Sequence, residues 1–152
     1  MRSFLSNDLQ EYRTNRKIYL ILFVFPVVLM LLLIYKISSL ETITVYSEFL
    51  PLDKIYHFTV FMLLSYSLFR MMSYKNYKLG WIFLNTFLFS TLYGVLDEVH
   101  QLYVPNRFFD YNDILADAFG SLVGVLLGLF FYRYDYKFLQ NKFKINQKKI
   151  SI

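Results

Sequence analysis

The residues able to do chemistry in this chain gather in three short runs. Asp53, Lys54 and His57 form the first, Asp97, Glu98 and Gln101 the second, and Arg107, Asp110, Asp113 and Asp117 the third. On helices turning 100° per residue, each of the first two runs projects within an arc of roughly 100°. Gly94 shares the second arc, and His100 points away from Glu98. Asp110, Asp113 and Asp117, spaced three and four apart, line one helix face that Gly120, Gly124 and Gly128 continue. Carboxylates beside an imidazole and a guanidinium suit three kinds of work. Glu98 or an aspartate could act as a general base, with His57 or Asp113 as partner and Arg107 clamping a phosphate or a developing oxyanion. The acids could instead hold a divalent cation or a cationic ligand with no bond broken. Or the set could serve the fold alone, as helix caps and a polar interlock, with Asp113 capping the last helix at its positive end.

Several chemistries are excluded. The chain has no cysteine, which removes disulfides, thiolate metal sites and thiol nucleophiles. There is no His-Glu-x-x-His helix, no Gly-x-Ser-x-Gly elbow and no phosphate-gripping glycine loop. His57 and His100 lack the spacing of a known zinc site, and Ser121 lies deeper than His57 should reach, which discounts a Ser/His dyad.

The elements that carry these residues must be helices in lipid. Of 152 residues, 57% are hydrophobic and 18% charged, whereas a soluble domain of this size carries about 25% charged residues in its polar coat. That excludes disorder, a coiled coil and a nucleic-acid tail. Seventeen Phe and fourteen Tyr with five Gly and three Pro favour long apolar helices over loops. Ile18 to Tyr35 runs without a charge for about 27 Å of helix, close to the ~30 Å hydrocarbon thickness. Pro26 in its middle is tolerable as a kink packed on neighbours. The segment is read as retained, because its charged lead is long and no small-x-small cleavage pair follows Tyr35. A second apolar run lies between Lys54 and Arg70, a third from Leu79 to Leu96 with Trp81 as interfacial anchor, and a fourth from Ile114 to Tyr132. The expected fold is all-α, an integral membrane bundle of four transmembrane helices. A basic N-terminus (1–17) precedes a membrane domain (18–132) with spans at about 18–35, 55–72, 79–96 and 114–132, and a basic tail (133–152) follows. Thr42–Tyr46 has strand-like composition but, without a partner, reads as extended loop.

Charge then sets orientation. The N-terminus, the second loop and the tail carry thirteen Lys and Arg against three acids, and the opposite side carries three (Lys36, Lys54 and Arg107) against eight acids. Basic residues concentrate on the cytoplasmic side, so both termini are expected there. The formal +5 thus divides into about +10 inside and about −5 outside. Topology accounts for the basic charge, so no nucleic-acid partner is expected. The tail could also attract anionic lipid, at ~1 kcal/mol per basic residue near the surface, although enforcing topology is the simpler role.

The run Asp53-Lys54-x-x-His57-Phe58, followed by Asp97-Glu98-x-x-Gln101, Pro105-x-Arg107, Asp113 and Gly120-x-x-x-Gly124, resembles the VanZ family of small bacterial membrane proteins in order and spacing over roughly residues 50–130. The resemblance implies a multi-pass protein of the bacterial plasma membrane, and the family's namesake is associated with resistance to the glycopeptide teicoplanin. Its polar signature falls on Asp53, Lys54, His57, Glu98, Gln101, Arg107 and Asp113. This chain departs from the pattern in having Asp117 where Asn is common and Asp110 where Ser is common. Both changes add negative charge, which favours a cation or a shared proton.

These readings converge on a polar pocket at the outer leaflet, built from the starts of helices two and four and the end of helix three. The preferred function is non-enzymatic: binding of a lipid or cell-wall-related head group by Asp53, Lys54, His57, Asp97, Glu98, Gln101, Arg107, Asp113 and Asp117, a phosphate being bridged to the acids through a divalent cation. Binding there would alter glycopeptide access. The alternative is a membrane hydrolase or transferase acting on a lipid-linked substrate, with Glu98 as base. Membrane lipids are the expected surroundings. A monomer is expected, since acids on the glycine face would meet like charges across a two-fold axis.

Overall fold

A membrane helix faces lipid on one side, so its polar residues belong inside the bundle and its leucines outside. The computed structural model, which describes residues 19–40, 52–73 and 77–150 with side chains as far as Tyr132, has this arrangement. Four helices are long and apolar enough to cross a membrane, and no strand occurs among the described residues. They are α1 (Phe25–Ser38, entered through a π-helical turn at Leu20–Val24), α2 (Leu52–Ser73), α3 (Leu79–Gln101) and α4 (Tyr111–Ile150). The polarity is clearest on α3. Thr86, Ser90, Gly94, Asp97, Glu98 and Gln101 are buried, while Leu84, Leu88, Leu92 and Leu96, one turn apart, are exposed. A water-soluble helix shows the reverse.

The expected all-α membrane bundle is therefore observed, with differences at its ends. Pro26 does not kink the middle of a helix. Lacking an N–H, and with a ring that would strike the carbonyl four residues back, it would break a regular turn. The preceding turn widens instead, the Phe25 N–H reaching the Leu20 carbonyl five residues back, and Pro26 sits in the first turn of α1. At the pocket end α1 runs on to Ser38 and α3 to Gln101, and α2 and α4 begin at Leu52 and Tyr111. Charge-free runs stop short of these limits because Asp97, Glu98 and Asp113 are paired inside the bundle and continue their helices. At the other end α4 continues past Tyr132 to Ile150. Residues 1–17 and Thr42–Tyr46 lie outside the described residues.

The α2–α4 pair is the centre of the bundle. Gly120 and Gly124 lie directly against the carbonyl oxygens of Phe58 and Met62, and Gly128 against the Phe69 ring; a Cβ at any of the three would overlap its neighbour. The small-residue face is thus an internal seam, which the Ser65 hydroxyl ties further by donating to the Ser121 carbonyl at 2.8 Å. Val27 and Ile34 of α1 pack on Phe61, Leu64 and Leu68, while Phe69, Ile82 and Val125 form a second cluster. In lipid these contacts gain dispersion rather than hydrophobic transfer energy, so the polar bonds at the pocket end carry more weight than in a soluble core.

Candidate functional site

The polar cluster is assembled by the connection between α3 and α4. The Tyr103 and Val104 N–H groups bond back to the carbonyls of His100 and Gln101, closing α3. Val104-Pro105-Asn106-Arg107 then turns back, with the Arg107 N–H on the Val104 carbonyl at 3.2 Å and Asn106 at φ 60°. This is the signature of a type II turn, in which Pro suits the second position and the third needs the positive φ that Asn tolerates. The turn returns Arg107 to the end of α3, where Nη1 donates to Gln101 Oε1 at 3.5 Å and Nε to the Leu40 carbonyl at 3.4 Å.

Asp110 joins the loop to everything beneath it. Its Oδ1 accepts the Asn112 N–H at 2.8 Å, so Asp110 caps α4, and its own N–H donates to Glu98 Oε2 at 3.0 Å. The capping role expected of Asp113 therefore belongs to Asp110. Asp113, one turn in and buried, faces α2 instead. There the Lys54 ammonium lies 2.5 Å from Asp110 Oδ2, 2.5 Å from Asp113 Oδ1 and 3.6 Å from Asp53 Oδ2. The hydrogen bond from Lys54, and after it the Asn112 N–H, hold the Asp110 carboxyl below the usual carboxylate range.

Deeper in the bundle, His57 stands between two carboxylates. Its Nδ1 is 3.0 Å from Asp117 Oδ1, and its Nε2 is 4.0 Å from Glu98 Oε1. All three side chains are buried at 2% exposure or less, where a charge must find a partner. An ionised Asp117 makes Nδ1 the protonated nitrogen and turns Nε2 toward α3. The second Asp117 oxygen has no hydrogen-bond partner among the described residues and lies against Gly94. Gln101 Nε2 spans the α3 acids, donating to Glu98 Oε1 at 3.1 Å and Asp97 Oδ2 at 3.3 Å. Ser38 of α1 donates to the same Asp97 oxygen at 2.8 Å.

All nine residues expected at the site thus lie in one cluster from Asp53 to Arg107, joined through Asp110 and, at 4.0 Å, through His57 and Glu98. His100 is elsewhere as expected, its Nε2 3.0 Å from Ser39 Oγ and its ring against Tyr35. His57 turns to Asp117 and Glu98, and Ser121 Oγ has no hydrogen-bond partner among the described residues. Two residues were missed. Asp110 was legible as part of the acidic face but not as the cap and Lys54 partner. Ser38 carried no signal, because Lys36 ended the apolar run before it. Two triads bring one potential ligand atom from each residue within 4.8 Å of one another: Asp53, His57 and Asp113, and His57, Asp97 and Glu98. The arrangement can therefore hold an ion, orient an imidazole against a carboxylate, or present Arg107 to an anion at the mouth.

A family model described as VanZ/LLP1 matches residues 2–132. The match takes in the first span as well as the polar signature, reaching beyond the 50–130 range in which the motifs are legible. Comparison with curated proteins gives no match, and comparison with solved structures gives none either.

Proposed function

We propose, for a chain that belongs to the VanZ-like family, that it serves the bacterial cell envelope as a binding protein whose polar pocket receives the phosphate-bearing head group of a lipid or cell-wall-related ligand. The observation that carries this reading is the contrast between the two cations. Among the described residues, Lys54 is held by three carboxylates, whereas Arg107 makes two long hydrogen bonds, both to neutral oxygens. A guanidinium so lightly held can turn its fork to a phosphate, which it matches in two parallel bonds. Exposed Tyr103, Phe108 and Tyr111 flank it, the residue types that settle at head-group depth. With both termini cytoplasmic, the pocket opens on the outer leaflet of the plasma membrane, where an occupied head group alters the approach of a glycopeptide such as teicoplanin.

The test is binding of the purified full chain to vesicles with and without anionic phospholipid, beside glycopeptide susceptibility of cells that express it. Arg107→Ala is expected to lose about 10-fold or more of the preference for anionic head groups, the worth of one charged hydrogen-bonded contact, and to lose any effect on susceptibility. Wild-type behaviour of Arg107→Ala in both assays overturns the reading. A second reading, a hydrolase or transferase using Glu98 as base, draws on the Asp117–His57–Glu98 line, which has the base-and-orienter form of acid–base sites. It requires that Glu98→Gln abolish turnover of a lipid-linked substrate while leaving its binding intact.

A further inference from the structure

Among the described residues, the interior of the polar cluster holds more buried acids than cationic side chains to pair with them. Asp97, Glu98 and Asp117 are buried around a single imidazole. The hydrogen-bond donors to the two α3 acids are neutral: the Ser38 hydroxyl, the Gln101 amide and the Asp110 N–H. Three negative charges at this depth are costly without a counter-charge. Lys54 is already engaged with Asp53, Asp110 and Asp113, and Arg107 bonds Gln101 and the Leu40 carbonyl.

We infer that His57, Asp97 and Glu98 form a site for a borderline divalent cation of the zinc type, with Asp117 as the outer partner that orients the imidazole. Three observations carry this. The ligand atoms of the three residues lie within 4.8 Å of one another, so that shifts of about 1 Å bring them to the roughly 3.4 Å that tetrahedral bonds of ~2.0–2.2 Å to a common ion require. His57 has the orientation of a metal-ligating histidine, with Nδ1 on a carboxylate and Nε2 directed at Glu98 from 4.0 Å, beyond a hydrogen bond. The orphaned Asp117 oxygen, on a fully buried side chain, points at Gly94, one turn before Glu98 on the face that also carries Asp97. With the three acids ionised and the imidazole neutral, as metal ligation requires of the ligands, a divalent cation brings the charge from three negative to one. An imidazole with two carboxylates favours a zinc-type ion over magnesium or calcium, which prefer oxygen alone. The other triad, Asp53, His57 and Asp113, is a poorer site because the Lys54 ammonium already occupies two of its carboxylates. Gln101, bridging the two α3 acids, remains a second outer partner.

This site goes beyond the head-group reading and does not depend on it, so metal retention is measured on the full chain in neutral lipid with no anionic head group present. The protein is stripped with EDTA, loaded with Zn²⁺, desalted against excess Mg²⁺ and analysed for metal. About one Zn²⁺ per chain is expected. Retention is expected to be lost in His57→Gln and Glu98→Gln, weakened roughly 10–100-fold in Asp117→Asn, and unchanged in His100→Gln and Asp53→Asn. Absence of retention in the wild type overturns the inference. So does full retention in His57→Gln, or loss in His100→Gln or Asp53→Asn, which would move the ion elsewhere. Should the pocket variants not fold, X-ray absorption on the loaded wild type decides: nitrogen and oxygen ligands at ~2.0–2.2 Å including one imidazole support the site, and a hydrated ion overturns it. Failure here with Arg107-dependent head-group binding intact removes the cation alone, while the opposite pattern removes the head-group reading alone.

Discussion

Replacing Gly94 with alanine adds one methyl group at the point where α3 meets the buried Asp117. A Cβ there would stand 2.5 Å from Asp117 Oδ2, 2.9 Å from its Cβ and 3.0 Å from its Cγ. Carbon contacts settle near ~3.5–4.0 Å, so the whole Asp117 side chain must retreat by roughly 1 Å. Such a shift stretches the 3.0 Å contact with His57 Nδ1 beyond hydrogen-bond reach. Losing a hydrogen bond to a charged group costs ~1.5–3 kcal/mol and overpacking ~1–3 kcal/mol, against a gain of up to ~1 kcal/mol from replacing a helical glycine. Net destabilisation of about 2–4 kcal/mol is expected, read by denaturant titration in mild detergent with helical circular dichroism. Gly80→Ala is the matched control. Among the described residues nothing lies within 4 Å of its added Cβ, and its stability should change by no more than ~1 kcal/mol. The decisive measurement is the double variant. In an Asp117→Ala background the carboxyl is gone and only the 2.9 Å contact with the residue-117 Cβ remains, so the penalty of Gly94→Ala should shrink, a coupling of about 1–3 kcal/mol. Additive penalties, or a Gly94→Ala protein as stable as wild type, would show that Asp117 does not occupy the space above Gly94.

The Lys54 cluster predicts a rescue: Lys54→Met strands the buried Asp113 carboxylate and should cost ~3–5 kcal/mol, while the double variant with Asp113→Asn should recover most of that in the same titration. For Asp110 the folded pKa lies below its ordinary value, so its stabilising effect is complete at neutral pH and is lost as pH falls through the depressed pKa. The melting temperatures of wild type and Asp110→Asn should therefore differ at pH 7 and converge only below the ordinary carboxylate range; convergence already at pH 6 would contradict the Lys54 assignment. Orientation is testable because the chain lacks cysteine. Tyr103→Cys, at a position 82% exposed at the pocket end, should react with an impermeant maleimide on intact cells, and Ser151→Cys should react only after lysis.

Much of the fold was legible because its signals are local. A run of about 20 apolar residues spans a bilayer whatever its neighbours do, so four spans could be counted from Ile18, the Lys54–Arg70 interval, Leu79 and Ile114. Helical periodicity likewise placed Asp97, Glu98 and Gln101 on one face, and Asp113 and Asp117 on the face of the glycines. Helix ends were less legible. Counting charge-free residues stops at the first acid, and Asp97 does not end α3, because Ser38 and Gln101 satisfy it inside the bundle.

What the sequence by itself determined is therefore the membrane class, the number of spans and the gathering of its polar residues at one end, all set by composition and spacing along single helices. The tertiary structure alone decided the partners. His57 turns its Nδ1 to Asp117 rather than to Glu98, across 60 positions of chain. Lys54 bonds Asp110, which also takes the capping role expected of Asp113, and α2 is the helix on which the glycine face of α4 packs. Such pairings depend on how deeply one helix seats against another. Gly120 and Gly124 let α4 lie on the carbonyls of Phe58 and Met62, and that contact fixes the register at which each buried acid meets its base. Spacing within one helix holds no information about the height of its neighbour.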